Sequence, residues 1–208
     1  MLRLPTFSYQ APTSVDEVLS LLADHRGRAR LLAGGTDLVP NLKHGIEEAE
    51  LVVSLQRVSG LDGVSERADG TLELGAMLSL EHLAADQTVR ARFPALAQAA
   101  GLVAGPHHRR MGTVGGNVCL NTRCVYINQT HFWREALGYC LKKDGTVCHV
   151  TKVGKKRVAA HSADTPPVLM TLDAVATLVG PEGERSIPVR DFFVTMASST
   201  HAARPTKS

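Results

Sequence analysis

The sequence predicts a mixed α+β fold, and three observations support that class. Apolar residues recur at helical spacing over 15–24, and a short apolar run at 29–33 is typical of a buried strand. Residues 71–77 alternate between apolar and polar side chains, as half-buried strands do. The chain has 208 residues, of which 44% are hydrophobic and 21% charged, so it can bury one sizeable core or two small ones.

The first part of the chain predicts α/β structure with tight turns. Ser14 followed by Glu17 is typical of a capping box at a helix start, and Gly27 fits the end of that helix. Asp37 can cap a second helical stretch. The predicted elements are a helix at 15–24, a strand at 29–33, a turn at 34–37, a helical stretch at 38–45 and a strand at 51–56.

The second part predicts further helices and strands around a long loop. Pro94 fits near the start of one of these helices. The predicted elements are a strand at 71–77, a helix at 79–86, a helix at 89–104, a turn-rich loop at 105–117, and a proline-initiated helix followed by a strand within 165–180. Residues 196–208 lack periodicity, and we expect a disordered tail there.

Composition excludes several function classes. The net charge is only +3 and the basic residues are spread along the chain, so the sequence does not favour a nucleic-acid partner. No segment approaches the roughly 20 apolar residues of a membrane span. The N-terminus lacks the apolar region of a secretory signal. We therefore expect a cytoplasmic protein that does not bind membranes and whose thiols are reduced.

Two glycine pairs are candidates for phosphate binding. They lie in AGGTD (33–37) and TVGGN (113–117), where positive φ angles would let successive N–H groups point at one anion. A pyrophosphate could be held by both loops from opposite sides, with further bonds from Thr36, Thr113 and Asn117. Neither loop matches G-x-G-x-x-G or a Walker motif, so a Rossmann or P-loop site is disfavoured.

The order of four motifs is more specific than either loop alone. The chain carries PTSVDEVLSLL, then LAGGTDLVP, then MGTVGGN, then DTPPVLMTLDA. This order resembles the FAD-binding subunit of the xanthine dehydrogenase family of molybdenum hydroxylases, from about Phe7 to Phe193. The resemblance implies a PCMH-type FAD-binding domain of two α/β subdomains, at 1–58 and 59–195, with the flavin between them.

The same resemblance implies the residues that bind FAD. Asp164 matches the aspartate that meets the adenosine part, although the residue also suits a helix N-cap. Arg109 matches an arginine common in the second loop and is expected to anchor a phosphate or the loop. The residues expected to line the pyrophosphate are Leu32, Ala33, Gly34, Gly35, Thr36, Asp37 and Leu38 from the first subdomain, and Thr113, Val114, Gly115, Gly116 and Asn117 from the second.

Four cysteines lie within thirty residues and nowhere else in the chain. Cys119, Cys124, Cys140 and Cys148 have the spacing C-x4-C-x15-C-x7-C. A local metal or cluster site is favoured over a disulfide pair. Four thiolates suit an iron–sulfur cluster or zinc, the missing Cys-x2-Cys knuckles disfavour zinc, and structural thiols remain the third alternative.

Residues 119–157 have the character of a cysteine-rich insertion. They resemble the insertion in the beta subunit of 4-hydroxybenzoyl-CoA reductase, which holds a 4Fe–4S cluster. The resemblance implies Cys124, Cys140 and Cys148 as ligands. Where the family pattern places a fourth cysteine the chain has Arg157 and Val158. Either Cys119 takes its place as the fourth ligand, or the site has three thiolates and holds a labile cluster or none.

The function implied is that of an electron-transfer flavoprotein subunit, with no catalytic residues of its own. A 4-hydroxybenzoyl-CoA reductase type would pass electrons between a 4Fe–4S cluster, FAD and 2Fe–2S centres. Its partners would be a small 2Fe–2S subunit, a large molybdenum-cofactor subunit and a low-potential donor such as ferredoxin. The alternatives are an FAD subunit of an aldehyde, purine or CO hydroxylase, and a truncated, non-catalytic metal-binding module, because the C-terminal domain usual in the family is not expected here.

Overall fold

The computed structural model describes residues 2–155 and 157–193. The strands are β1 (Ser8–Gln10), β2 (Ala29–Leu32), β3 (Leu51–Ser54), β4 (Val64–Glu66), β5 (Leu72–Leu74), β6 (Val175–Gly180) and β7 (Gly183–Pro188). The helices are α1 (Val15–Asp24), α2 (Leu38–Lys43), α3 (Leu80–Ala85), α4 (Gln87–Arg92), α5 (Pro94–Leu102), α6 (Pro106–Met111), α7 (Val114–Val118), α8 (His131–Ala136), α9 (Thr165–Thr171) and α10 (Val189–Phe192). The predicted tail at 196–208 lies outside the described residues.

The first part of the chain forms a three-stranded parallel sheet in the order β1-β3-β2. Helix α1 is confirmed, and the Ser14 hydroxyl accepts a hydrogen bond from the Glu17 N–H at 3.3 Å. The Glu17 carboxylate accepts from the N–H of Thr13 at 2.8 Å, one residue before the position that a capping box uses. A hydrophobic cluster centred on Val18 and Val53 holds α1 against the sheet.

The second part buries a larger hydrophobic cluster. Its fully buried members include Leu83, Val89 and Ala100, which lie on α3, α4 and α5. Helix α9 and the antiparallel hairpin β6–β7 pack on the same cluster. The division of the chain at residue 58 remains a prediction, since Leu61 still packs against the first cluster.

Two sequence predictions in this part are wrong. The helix predicted over 89–104 is two helices, α4 and α5, with a break at Phe93 (φ −133°, ψ 56°). The ring of Pro94 disfavours helical backbone at the preceding residue and removes one N–H, so the chain restarts with proline at the beginning of α5. The turn-rich loop predicted over 105–117 contains helices α6 and α7.

The cysteine-rich segment is attached to the first part by a buried arginine. Arg134, on α8, is 1% exposed. Its guanidinium donates to the carbonyl oxygens of His44 at 3.1 Å and Gly45 at 2.8 Å, and to that of Gln129 at 3.3 Å. Carbonyls at a helix end have no partner within the helix, so Arg134 binds where α2 ends. Among residues 2–155 and 157–193, no helix is long and apolar enough to cross a bilayer.

Candidate functional site

The first glycine loop offers unpaired N–H groups. It joins the end of β2 to the start of α2, and Gly35 has a φ of 74°, a conformation that glycine adopts without strain. Among the described residues, the N–H groups of Gly34, Gly35, Thr36 and Asp37 have no protein acceptor. Consecutive N–H groups without partners are suited to an anion. The loop therefore offers N–H groups to an anion, and its part in FAD binding stays a prediction.

The two glycine loops lie against each other. A Cβ atom on Gly34 would lie 1.7 Å from the carbonyl oxygen of Met111, just before the second loop. Only a residue without a side chain allows that approach. A Cβ on Gly116 would lie 4.0 Å from the Cβ of Ala33. The fold thus brings together two segments that are about eighty residues apart in sequence.

The second glycine pair differs from the prediction in its conformation. Neither Gly115 nor Gly116 has a positive φ, because both lie in α7. The Gly115 N–H donates to the carbonyl oxygen of Ala76 at 2.8 Å, and the Gly116 N–H donates to the Thr113 hydroxyl at 3.1 Å. A Cβ on Gly115 would lie 2.9 Å from the Cβ of Ala76. The pair therefore allows close packing and leaves few N–H groups for an anion.

Asn117 connects the second loop to the helix that follows Asp164. Its buried side-chain oxygen accepts from the Thr165 hydroxyl at 2.6 Å and from the Thr165 N–H at 3.2 Å. Asp164 occupies the N-cap position of α9 without a side-chain capping bond, and it is exposed. The Asn117 oxygen is therefore used within the protein, whereas the Asp164 carboxylate is available to a ligand.

The other predicted lining residues are distributed around the first loop. Leu32 ends β2 and Leu38 begins α2, and both are half-buried. Thr36 is exposed at the loop surface. Val114 is 7% exposed and belongs to the larger hydrophobic cluster, so it supports α7 from the core side.

The sequence suggested that the Asp37 side chain caps α2, and that prediction is wrong. No side-chain capping bond is present at that helix start. The carboxylate forms an ion pair with Arg123 of the cysteine-rich segment and accepts from the Asn41 amide at 3.1 Å. Burial lowers the pKa of the Arg123 guanidinium. No sequence pattern identifies Arg123 as part of the site, because its partner Asp37 lies 86 positions earlier.

Arg109 anchors the chain just before the second loop. Its guanidinium donates to the carbonyl oxygens of Val103 at 3.0 Å and Ala104 at 3.1 Å. Ala104 has a φ of 43°, which is unusual for a residue with a side chain. Arg109 therefore stabilises the turn that leads into α6.

The four cysteines have different environments. Cys140 and Cys148 are buried, Cys124 is half-buried and Cys119 is exposed at the end of α7; all four are free thiols. Burial lowers the pKa of Lys142 to about 8, and the nearby charges of Arg157 and Arg123 act in the same direction, while the Cys140 and Cys124 thiols oppose them. Within the described part of the chain, no three His, Cys, Asp or Glu residues are grouped as metal ligands.

The pKa shifts separate Cys148 from Cys119. Burial opposes the charged form of Cys148, but hydrogen bonds from the N–H groups of Val150, Thr151 and Val158 prevail and lower the pKa of its thiol. Part of the Cys119 residue is exposed, but the surrounding protein desolvates the sulfur enough to raise the pKa of its thiol. A metal ligand must be a thiolate, so Cys148 is the better suited of the two.

The chain belongs to the family of FAD-binding domains of molybdopterin dehydrogenases. The family model described as "FAD binding domain in molybdopterin dehydrogenase" matches residues 5–205. The structure resembles that of carbon monoxide dehydrogenase from Hydrogenophaga pseudoflava, with a TM-score of 0.69 and 29% identity over 96% of this chain and 56% of the other. The PCMH-type FAD-binding fold implied by the sequence is therefore confirmed.

Curated relatives come from several oxidoreductase complexes. The 6-hydroxypseudooxynicotine dehydrogenase complex subunit alpha of Paenarthrobacter nicotinovorans is 30% identical over 92% of this chain and 51% of its own length. The carbon monoxide dehydrogenase medium chain of Hydrogenophaga pseudoflava is 30% identical over 91% of this chain and 53% of its own length. The chain thus spans about half the length of the curated relatives it matches.

The residues of the site fit the pyrophosphate of FAD. Unpaired N–H groups at 34–37 suit an anion, and the carboxylate of Asp164 is not engaged with the described residues. Gly34 lets the first loop approach the backbone of Met111, and Gly116 faces the Ala33 side chain without a side chain of its own. The sequence suggested that the second loop supplies N–H groups to the phosphate. In the structure the Gly116 N–H is used within the protein, and the loop instead offers the exposed backbone of Gly116, which a ligand can approach closely.

Proposed function

We propose that this chain is the FAD-binding part of an electron-transfer subunit in a molybdenum-containing oxidoreductase complex. The observation that carries the proposal is the contact of the two glycine loops, where Gly34 lies against the backbone of Met111 beside four unpaired N–H groups. When bound, FAD supplies two-electron chemistry that can be exchanged in single-electron steps. The protein residues bind and orient it.

Each segment of the site has a separate part in that binding. The N–H groups of Gly34, Gly35 and Thr36 would hold the pyrophosphate, and the Asp164 carboxylate would accept from a ribose hydroxyl. The bonds from Thr165 to Asn117 fix Asp164 relative to the second loop. We propose no general acid, base or nucleophile in this chain, since substrate chemistry would belong to a partner subunit.

A finer form of the proposal assigns the complex to the 4-hydroxybenzoyl-CoA reductase type. In this form segment 119–157 binds a 4Fe–4S cluster through Cys124, Cys140 and Cys148, with Cys119 as the fourth ligand. The N–H groups directed at the Cys148 sulfur support thiolate chemistry there. The partners would be a 2Fe–2S subunit, a molybdenum-cofactor subunit and a donor such as ferredoxin. A reducing, cytoplasmic location is part of the proposal, because cysteine ligands of a cluster must not be consumed in disulfides.

A second candidate is an FAD subunit of a hydroxylase that lacks the extra cluster. The similarity to a carbon monoxide dehydrogenase medium chain and to a subunit of a 6-hydroxypseudooxynicotine dehydrogenase complex supports it. The different environments of the four cysteines are compatible with structural thiols. The two candidates share the flavin site and differ only in whether segment 119–157 holds iron.

Anaerobic purification followed by assays of flavin, iron and zinc separates these candidates. FAD with about four irons per chain supports the reductase type, whereas FAD without iron supports the hydroxylase type. Zinc without flavin would reject both and favour a non-catalytic metal-binding module. If iron is present, Cys148→Ser should lose it, and Cys119→Ser tests the fourth ligand, since a variant with full iron content excludes Cys119.

A further inference from the structure

Arg123 connects the cysteine-rich segment to the flavin loop. It lies between Cys119 and Cys124, yet its guanidinium forms an ion pair with Asp37. The same guanidinium donates to the Asn41 side-chain oxygen at 3.3 Å, and the Asn41 amide donates to Asp37 at 3.1 Å. The three side chains therefore form one closed set of contacts beside the first glycine loop.

The main chain of Arg123 is fixed as firmly as its side chain. Its N–H donates to the carbonyl oxygen of Ala160 at 2.5 Å, and the Ala160 N–H donates back at 2.9 Å. Residue 160 precedes Asp164 by four positions. Arg123 thus joins two of the segments that the proposed flavin site requires, the loop at 33–37 and the approach to Asp164.

The charge of Asp37 is otherwise unfavourable for the proposed ligand. Its carboxylate belongs to the loop whose N–H groups would hold a pyrophosphate, which is also negative. Like charges at short range repel, and the repulsion is strong where water is partly excluded. Among the described residues, Arg123 is the one cation paired with Asp37, and the Asp37 side chain is 40% exposed while that of Arg123 is 22% exposed.

We infer that Arg123 is a positioning residue that neutralises Asp37 and so permits a pyrophosphate to bind at the first glycine loop. The inference rests on the proposed FAD function. It also gives segment 119–157 a second role, because the cation that the flavin loop needs is supplied from that segment. By linkage, a change at the cysteines that moves Arg123 alters flavin affinity, and flavin stabilises the segment in return.

A double-mutant cycle tests this mechanism. FAD affinity is measured on the full chain by flavin fluorescence for the wild type, Arg123→Gln, Asp37→Asn and the double variant. We expect Arg123→Gln to bind FAD about tenfold more weakly, because the Asp37 charge is then uncompensated. In the Asp37→Asn background the same arginine change should alter affinity less than about twofold, because no charge remains to be neutralised.

Ionic strength provides a readout that a purely structural role would not move. The loss in Arg123→Gln should shrink as salt rises from about 0.05 M to about 0.5 M, because the repulsion is screened. Arg92→Gln is the matched control, since it removes an arginine that pairs with Glu66 at 2.8 Å outside the flavin site. That control should leave FAD affinity unchanged, and thermal melting identifies any variant that fails to fold.

Two results overturn the inference while leaving the proposed function intact. One is FAD binding that Arg123→Gln does not weaken. The other is an equal loss in the wild-type and Asp37→Asn backgrounds, which would mean that Arg123 acts through the fold or contacts the phosphate itself. A wild-type chain that does not bind FAD rejects the proposed function, and the inference with it.

Discussion

Replacing Gly34 by alanine tests the contact between the two glycine loops. The new Cβ would lie 1.7 Å from the carbonyl oxygen of Met111, 2.5 Å from its carbon and 3.1 Å from the Cα of Gly112. Ordinary contact begins at about 3.5 Å, so the loops must separate by roughly 1.5 to 2 Å. All three atoms belong to the backbone, so a side-chain rotation cannot relieve the clash.

The expected cost follows from overpacking of a close contact. We expect Gly34→Ala to lower the free energy of unfolding by about 1–3 kcal/mol. For a chain of this length, each kcal/mol corresponds to about 2–4 °C in the melting temperature. FAD affinity should fall more than tenfold, because separating the loops moves the groups that would bind the pyrophosphate.

Thermal melting by circular dichroism and FAD titration are the assays, with Gly101→Ala as the control. Gly101 lies in α5, where a Cβ would make an ordinary contact of 3.7 Å with the Cβ of Ala84. That substitution should be neutral or stabilise the chain by up to about 1 kcal/mol, because alanine favours helix. A Gly34→Ala chain that melts with the wild type and binds FAD equally would refute the loop contact.

Three other changes test the parts around the site. Asn117→Ala should lower the free energy of unfolding by about 1–3 kcal/mol, because it leaves the buried Thr165 hydroxyl and N–H without their acceptor. Chemical denaturation measures this loss, and Thr165→Val should lose less, because it removes only the hydroxyl bond. Arg134→Met should increase hydrogen exchange selectively at 119–155, because the segment loses its bonds to the end of α2. Exchange at 119–155 that rises no more than in the rest of the chain would contradict that role. In the metal-free chain about half of Lys142 should be uncharged at pH 8, against about 0.4% of an ordinary lysine. An amine-labelling reagent should therefore modify Lys142 before the other lysines, and its labelling should decrease as the pH falls below about 8, because the amine becomes protonated.

The elements that the sequence predicted correctly depend on local signals. Helix α1 begins after Ser14, whose hydroxyl accepts from the N–H three residues later, and the predicted turn at 34–37 joins β2 to α2. These features involve neighbours in sequence and standard capping or glycine geometry. The order of the motifs then supplied the family, which the match over residues 5–205 confirms.

The incorrect predictions have equally local physical causes. Apolar spacing continued across Pro94 in the sequence, but the proline ring ended one helix and began the next. Gly115 and Gly116 suggested a turn, whereas the Thr113 hydroxyl caps a short helix that contains them, and the contact with Ala76 requires the small size of Gly115. A glycine pair therefore indicates either backbone freedom or close packing, and its sequence does not distinguish between them.

The contacts that join the cysteine-rich segment to the flavin loop could not be predicted from sequence. Arg134 reaches carbonyls about ninety positions earlier, and Arg123 reaches Asp37 over a similar separation. An arginine in a polar segment has no periodicity that indicates its partner, because long side chains can bind acceptors from many directions. Such contacts are determined by the tertiary fold.

Those two arginines change how the cysteine-rich segment should be understood. A segment attached only through its two chain ends could change without consequence for the flavin loop. Here Arg134 binds the end of α2, and Arg123 binds Asp37 at its beginning. Both ends of one six-residue helix are thus held by residues 119–157. Whatever the cysteines bind, the position of α2, and with it the first glycine loop, depends on the folding of that segment.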